Sequence, residues 1–165
     1  MDLVVLGLDP GSRHTGFGLV RESSGRAELL EAGVINAPAK RPMPERLGLI
    51  FRGVAALVEK YRPAEAAIES VFVSKSVSSA LKLGQARGAA LAACALGGLD
   101  VAEYAPTLVK KSVVGAGRAE KAQVAFMMAR ILGVKNPAWA EDASDALAVA
   151  VCHLNQRRMR KLAGL

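Results

Sequence analysis

The chain has 165 residues, a hydrophobic content of 52% and a formal net charge of +7. That length suits one domain with a real core, and the charge points to a polyanionic partner. No apolar run is long enough to cross a bilayer, no basic leader precedes an apolar region, and two cysteines make no disulfide framework, so neither a membrane span nor a signal peptide is read and a reducing cytoplasm is expected.

Leu3–Leu8 reads as a strand that ends in Asp9 and turns at Pro10-Gly11. Phe17–Glu22 reads as a second strand, and Ser23-Ser24-Gly25 turns the chain into a third, Arg26–Asn36, which completes an antiparallel meander. Prolines 38, 42 and 44 mark a loop. Leu47, Ile50, Val54, Leu57, Val58 and Tyr61 recur at helical spacing, predicting a helix over Glu45–Tyr61 that Pro63 stops. Ala66–Val73 is a fourth strand, reached through a helix and therefore parallel to the strand it joins.

Ser76–Leu96 reads as a long helix, ended by Gly97-Gly98, and Val101–Tyr104 as a short fifth strand. Pro106 opens a short helix through Val114. Gly115 and Gly117 break it before a helix from about Arg118 to Leu132, and Glu141–Arg158 is the last. The fold class is therefore α/β: a five-stranded mixed sheet, a meander followed by parallel crossovers, flanked by helices. It forms a single domain over residues 1–165, with a short basic C-terminal tail after about residue 155. Cys94 and Cys152 read as small core side chains. Cys152 adjoins His153, but adjacent helical positions point apart and no second ligand pair appears.

Acids are absent between Phe72 and Leu99 and from Tyr104 to Ala119, stretches that hold Lys75, Lys82, Arg87, Lys110, Lys111 and Arg118. Where acids do fall is therefore informative. Taken singly, each has an ordinary reading: Asp9 as a turn residue, Glu69 as a strand-end ion pair, Asp142 and Asp145 as acids in a first helical turn that favour the helix dipole. Glu69, however, follows Ala66, Ala67 and Ile68, a run apolar on both faces, which makes its strand central. It then ends beside Asp9, on the edge where open α/β sheets put their sites. Asp142 and Asp145 share a helix face, although spacing alone leaves open whether Glu141 or Asp142 pairs with Asp145. Acids from three distant segments converging in a basic protein would repel one another unless a hard divalent cation joined them. Two such ions about 4 Å apart are an established arrangement for phosphodiester cleavage.

The stretches GLDPGSRHTGFG, AIESVF, SALKLGQARG, VVGAGRAEKAQV and DASDALAVA occur in this order and spacing. Together they resemble the RuvC family of bacterial Holliday junction endonucleases, which have an RNase H-like fold, and the likeness runs over nearly the whole chain. The resemblance implies that Asp9, Glu69, Asp142 and Asp145 are catalytic and hold the metals, Mg2+ or Mn2+, and it resolves the Glu141 ambiguity towards Asp142. Some family members carry His where Asp142 stands. The resemblance also implies a homodimer that works on four-way junction DNA with the RuvA–RuvB branch-migration machine. Phe72 would stack on a base at the crossover, and Lys110 and Lys121 would line the DNA surface. Lys75, Lys82, Lys111 and Arg118 are further DNA-binding candidates. Gly84 and Gly88, four apart on a helix, allow close approach of a dimer partner or of the sheet.

Rival readings are weaker. GLDPGS also resembles the phosphate hairpin of sugar kinases and actin-like ATPases, but those need two lobes and this chain supplies one. Gly11–Phe17 has P-loop glycine spacing with Phe17 at the lysine position, and Gly115-Ala116-Gly117 lacks the last glycine of a dinucleotide fingerprint. A junction-binding module without catalysis would be free to lose the four acids. An RNase H-like nuclease for RNA–DNA hybrids lacks the junction motifs.

Overall fold

A computed structural model describes residues 2–70 and 76–164. The strands are β1 (Leu3–Asp9), β2 (His14–Ser23), β3 (Arg26–Asn36), β4 (Glu65–Glu69) and β5 (Asp100–Tyr104). The helices are α1 (Met43–Tyr61), α2 (Val77–Leu96), α3 (Pro106–Val114), α4 (Lys121–Ile131) and α5 (Glu141–Leu162). The sheet order is β3-β2-β1-β4-β5. β1, β2 and β3 pair antiparallel, whereas β4 runs parallel to both β1 and β5. The meander and its parallel crossovers are as the sequence predicts.

Local chemistry sets the boundaries. Ser24 and Gly25 both have positive φ, at 50° and 79°, the pattern of a type I′ turn, whose twist matches the strands it joins. That twist carries β2 and β3 as one long hairpin, and β2 begins at His14, three residues before the apolar run that marks it in the sequence. α4 begins at Lys121 rather than Arg118, because Glu120 and Gln123 form a reciprocal capping box there. α5 continues to Leu162, so the basic segment after residue 155 is the end of a helix. Arg157 and Arg158 of that segment pair with Glu65 and Glu22 at 3.1 and 2.6 Å. β4 is described only to Glu69; Val71 to Val73, assigned to the strand in the sequence, lie outside the described residues.

Two apolar layers sandwich the sheet. Leu6, Leu8, Phe17, Leu19 and Ile68 pack against α1 and α2, and Val5, Val20 and Ala67 face α5. Cys94 lies in the first layer and Cys152 in the second, so the two thiols stand on opposite faces of the sheet, buried and free.

α5 lies directly on the strands because three glycines make room for it. A Cβ on Gly7 would come 2.1 Å from the Ala146 carbonyl, and one on Gly16 would come 1.9 Å from that of Asp142. A Cβ on Gly18 would press on Leu147. Gly7 and Gly18 are cross-strand partners, and so are Asp9 and Gly16. Gly7, Gly16 and Gly18 of GLDPGSRHTGFG thus form a bare strip of backbone on one face of β1 and β2.

Candidate active site

That strip delivers the first turn of α5 onto the end of β1. Carboxylate oxygens of Asp9, Asp142 and Asp145 lie within 4.8 Å of one another. Leu8 pairs with Ile68, so Asp9 and Glu69 end adjacent parallel strands. Glu69 stands outside the group of three but lines the same cavity as Asp9 and Asp145. The cavity holds about 260 Å³ and is completed by Lys110, Lys121, Pro106, Val109, Val124 and Ala148.

The electrostatics of the cavity are those of a site built for a cation. Asp9 is pushed up to about 7, first by burial and then by the negative charges of Asp145, Glu69 and Asp142. Glu69 is raised by burial and by Asp145, with Lys110 and Lys121 opposing. Asp145 is raised by burial, with Lys121 opposing. Asp9, Glu69 and Asp145 held this way strain against ionisation, and a hard divalent ion relieves both the desolvation and the repulsion. Oxygen-only donors fit magnesium or manganese rather than a soft metal.

Glu141 and Asp142 are neighbours with different partners. Asp142 joins the carboxylate group, whereas Glu141 accepts a hydrogen bond from Lys121, whose Nζ also lies 3.4 Å from Asp145 Oδ2. Lys110 is half-buried in the cavity wall. Lys82 on α2, Lys111 on α3 and Arg118 ahead of α4 are exposed and line none of that cavity. Phe72 and Lys75 lie outside the described residues.

Two arrangements escaped the sequence reading. Arg46 on α1 is buried and reaches the carbonyl of Ser12 in the turn after Asp9; its only sequence signal is a charged residue on the apolar face of an amphipathic helix. His153 is buried between Glu65, 2.6 Å from Nε2, and the Tyr104 hydroxyl, 2.8 Å from Nδ1. With Nε2–H donating to the carboxylate, Nδ1 accepts from the tyrosine, and the three tie α5 to β4 and β5. Glu65 opens β4 at the end of the sheet away from the acids, whereas Tyr104 closes β5 opposite Glu69, so the link runs along the sheet between its two ends.

A five-stranded RNase H-like sheet with acids at the ends of β1, β4 and the start of α5 defines the class of metal-dependent nucleases. The chain belongs to the RuvC family: the family model for crossover junction endodeoxyribonuclease RuvC matches residues 5–153. RuvC of Solidesulfovibrio magneticus is 60% identical over 163 residues, covering 99% of this chain and 96% of that one. RuvC of Oleidesulfovibrio alaskensis is 55% identical over 161 residues, covering 98% and 96%. Among solved structures, Thermus thermophilus RuvC superposes with a TM-score of 0.86 at 36% identity, covering 95% of this chain and 96% of that one. The same protein in complex with a Holliday junction substrate gives 0.89 at 37%, with the same coverage.

Proposed function

We propose that this chain resolves four-way DNA junctions by paired, symmetric phosphodiester incisions, in recombination and DNA repair. The observation that carries the reading is the meeting of the Asp9, Asp142 and Asp145 carboxylates at the edge of a cavity lined by Asp9, Asp145, Glu69, Lys110 and Lys121. In this reading the four acids hold two Mg2+ ions, for which Mn2+ can substitute. Bound there, the ions supply Lewis acidity for attack of water on phosphorus and for departure of the leaving oxygen. The acids fix the ions against β1, β4 and α5, and the wall of Val109, Val124 and Ala148 keeps bulk water from one side. Lys110 and Lys121 sit where a phosphate backbone would enter, and Lys75, Lys82, Lys111 and Arg118 extend the basic surface. Phe72, three residues beyond Glu69, stacks on a base at the crossover.

The functional unit in this reading is a homodimer of single-domain protomers spanning 1–165. It works in the cytoplasm with the RuvA–RuvB complex. The exposed face of α2 supports the dimer: Val77 and Leu81 are 79% and 64% exposed, and a Cβ on Gly84 or Gly88 meets nothing within 4 Å. These glycines therefore make no close approach to the protomer's own sheet. Among the described residues no helix is long and apolar enough to cross a membrane.

The deciding assay offers a synthetic four-way junction and an RNA–DNA hybrid to the same protein in Mg2+, Mn2+, Ca2+ and EDTA. Cleavage of the junction in Mg2+ or Mn2+ but not in EDTA is expected. Preference for the hybrid would point to an RNase H activity, and tight junction binding without cleavage in any metal to a binding module.

A further inference from the structure

Three consecutive carbonyls of the turn after Asp9 are tied into the protein. The Gly11 oxygen accepts from Thr15 Oγ1 at 3.4 Å, the Ser12 oxygen from the Arg46 guanidinium, and the Arg13 oxygen from the Ala37 amide at 2.8 Å. Thr15 shares its face of β2 with Phe17 and Leu19, the face that packs on α1 and α2, and Arg46 is itself in α1. The Gly11 and Ser12 carbonyls therefore point to the α1 side. No peptide bond among the described residues is cis, and across a trans peptide the C=O and the following N–H point opposite ways. The amides of Ser12 and Arg13 consequently face the other side of the sheet. Asp9 faces that side too, being two residues on from Gly7, which lies against α5.

A second observation points to an anion. Arg46 is only 7% exposed, and among the described residues its Nε has no hydrogen-bond partner and no carboxylate lies within ion-pair distance of it. A buried cation without a counter-charge is costly, and an anion settling on the turn above it lowers that cost. Outward-facing amides over a buried guanidinium are suited to phosphate. Asp9 and Ser12 are three residues apart, at most about 11 Å along the chain, a span that reaches a phosphate near the one at the acids.

We propose that residues 10–13 form a phosphate seat, in which the Ser12 and Arg13 amides hold a backbone phosphate flanking the scissile one. Arg46 is the positioning residue that keeps those amides turned outward, with Thr15 as its assistant. The seat depends on the junction-nuclease reading and deepens it by adding a contact that sets which phosphate meets the acids.

The test uses the full-length protein and four-way junctions carrying one neutral methylphosphonate at a time, on either side of the scissile phosphate. Wild type failing to cut the unmodified junction would overturn the nuclease reading itself, whereas the seat is judged by how substitutions combine. In wild type one flanking methylphosphonate should slow cleavage about tenfold and lower the metal-free slope of log K against log salt by about one. In Arg46→Met the unmodified junction should be cut slowly, and the same methylphosphonate should add less than about a twofold loss. Methylphosphonates elsewhere should keep their full cost. Thr15→Val, which keeps the side-chain volume, should show the same non-additivity more weakly, and it decides the matter if Arg46→Met does not fold. Losses that multiply independently in a folded variant, or the absence of any sensitive flanking phosphate, would overturn the seat.

Discussion

The Nζ of Lys121 lies 3.4 Å from Oδ2 of Asp145 and at the same time binds Glu141, so one ammonium bridges an acid inside the carboxylate group and one outside it. The lysine occupies part of the space in which Asp145 would meet a cation. Lys121→Ala should therefore have two effects of opposite sign. Mn2+ binding to the DNA-free protein, measured by calorimetry, should tighten by about two- to fivefold, the scale of an exposed ion pair. Junction binding should weaken, with the salt slope of log K falling by about one if a phosphate contact is lost. Lys110→Ala should show the second effect with a smaller first one, since among the described residues Lys110 makes no ion pair with an acid and its charge acts on Glu69 alone. Unchanged slopes in both variants would return the lysines to solvated surface charge.

Asp9→Asn and Glu69→Gln should each abolish cleavage in Mg2+ and leave junction binding intact. The amide keeps the shape and removes the charge that holds the cation. Cleavage at the wild-type rate by either variant would refute the four-acid site.

Stability of the metal-free protein should depend on pH through Asp9. Its folded pKa of about 7 lies above the ordinary 3.8, so the folded state binds this proton more tightly than the unfolded chain does. The contribution to stability is full below about pH 4 and is lost as pH rises through about 7. In EDTA the melting temperature of wild type should therefore fall across that window, and Asp9→Asn should flatten this part of the curve and melt higher at pH 8. Added Mn2+ should restore wild type above pH 7 and have little effect on the variant. A wild-type curve that coincides with that of Asp9→Asn would show that Asp9 is not raised.

Gly16→Ala should damage the site without touching an acid. The new Cβ would stand 1.9 Å from the Asp142 carbonyl, so the start of α5 must move away from β2 and take Asp142 with it. Metal affinity and cleavage should fall at least about tenfold while the protein stays folded, because the rest of α5 remains buried against the sheet. Full activity would mean that the helix start yields without moving the carboxylate.

A junction has two-fold symmetry and each chain supplies one acid site, so the active unit should be a dimer. Mixing wild type with Asp145→Asn should give heterodimers that nick one strand and leave the junction unresolved. Gly88→Trp has open space in its own protomer and should fold normally by circular dichroism. It should sediment as a monomer if α2 carries the interface. Double incision by a monomeric species would contradict both expectations.

The chain order of strands and helices was legible because it depends on local chemistry: apolar periodicity, turn residues, prolines and caps. The four acids were legible too as candidates, since each stands at or near the end of an element and long basic stretches without acids, 72–99 and 104–119, lie between Glu69 and Asp142. What the α5 face would touch was not. The choice between Glu141 and Asp142 depends on how the helix is rotated over the sheet, and that rotation is set by a strip of glycines on two antiparallel strands. GLDPGSRHTGFG was read as a turn, whereas its glycines at 7, 16 and 18 also seat the helix, a role that appears only once Gly7 and Gly18 are paired across strands. Arg46 and His153 were invisible for the same reason: a buried charge or imidazole is explained by partners far along the chain, Ser12 for one, Glu65 and Tyr104 for the other. The amino-acid sequence by itself determined the elements, their order and which carboxylates stand at their ends. The tertiary structure alone decided which of those carboxylates meet, because distances between segments far apart in the chain are set by close packing, and packing is not a one-dimensional property.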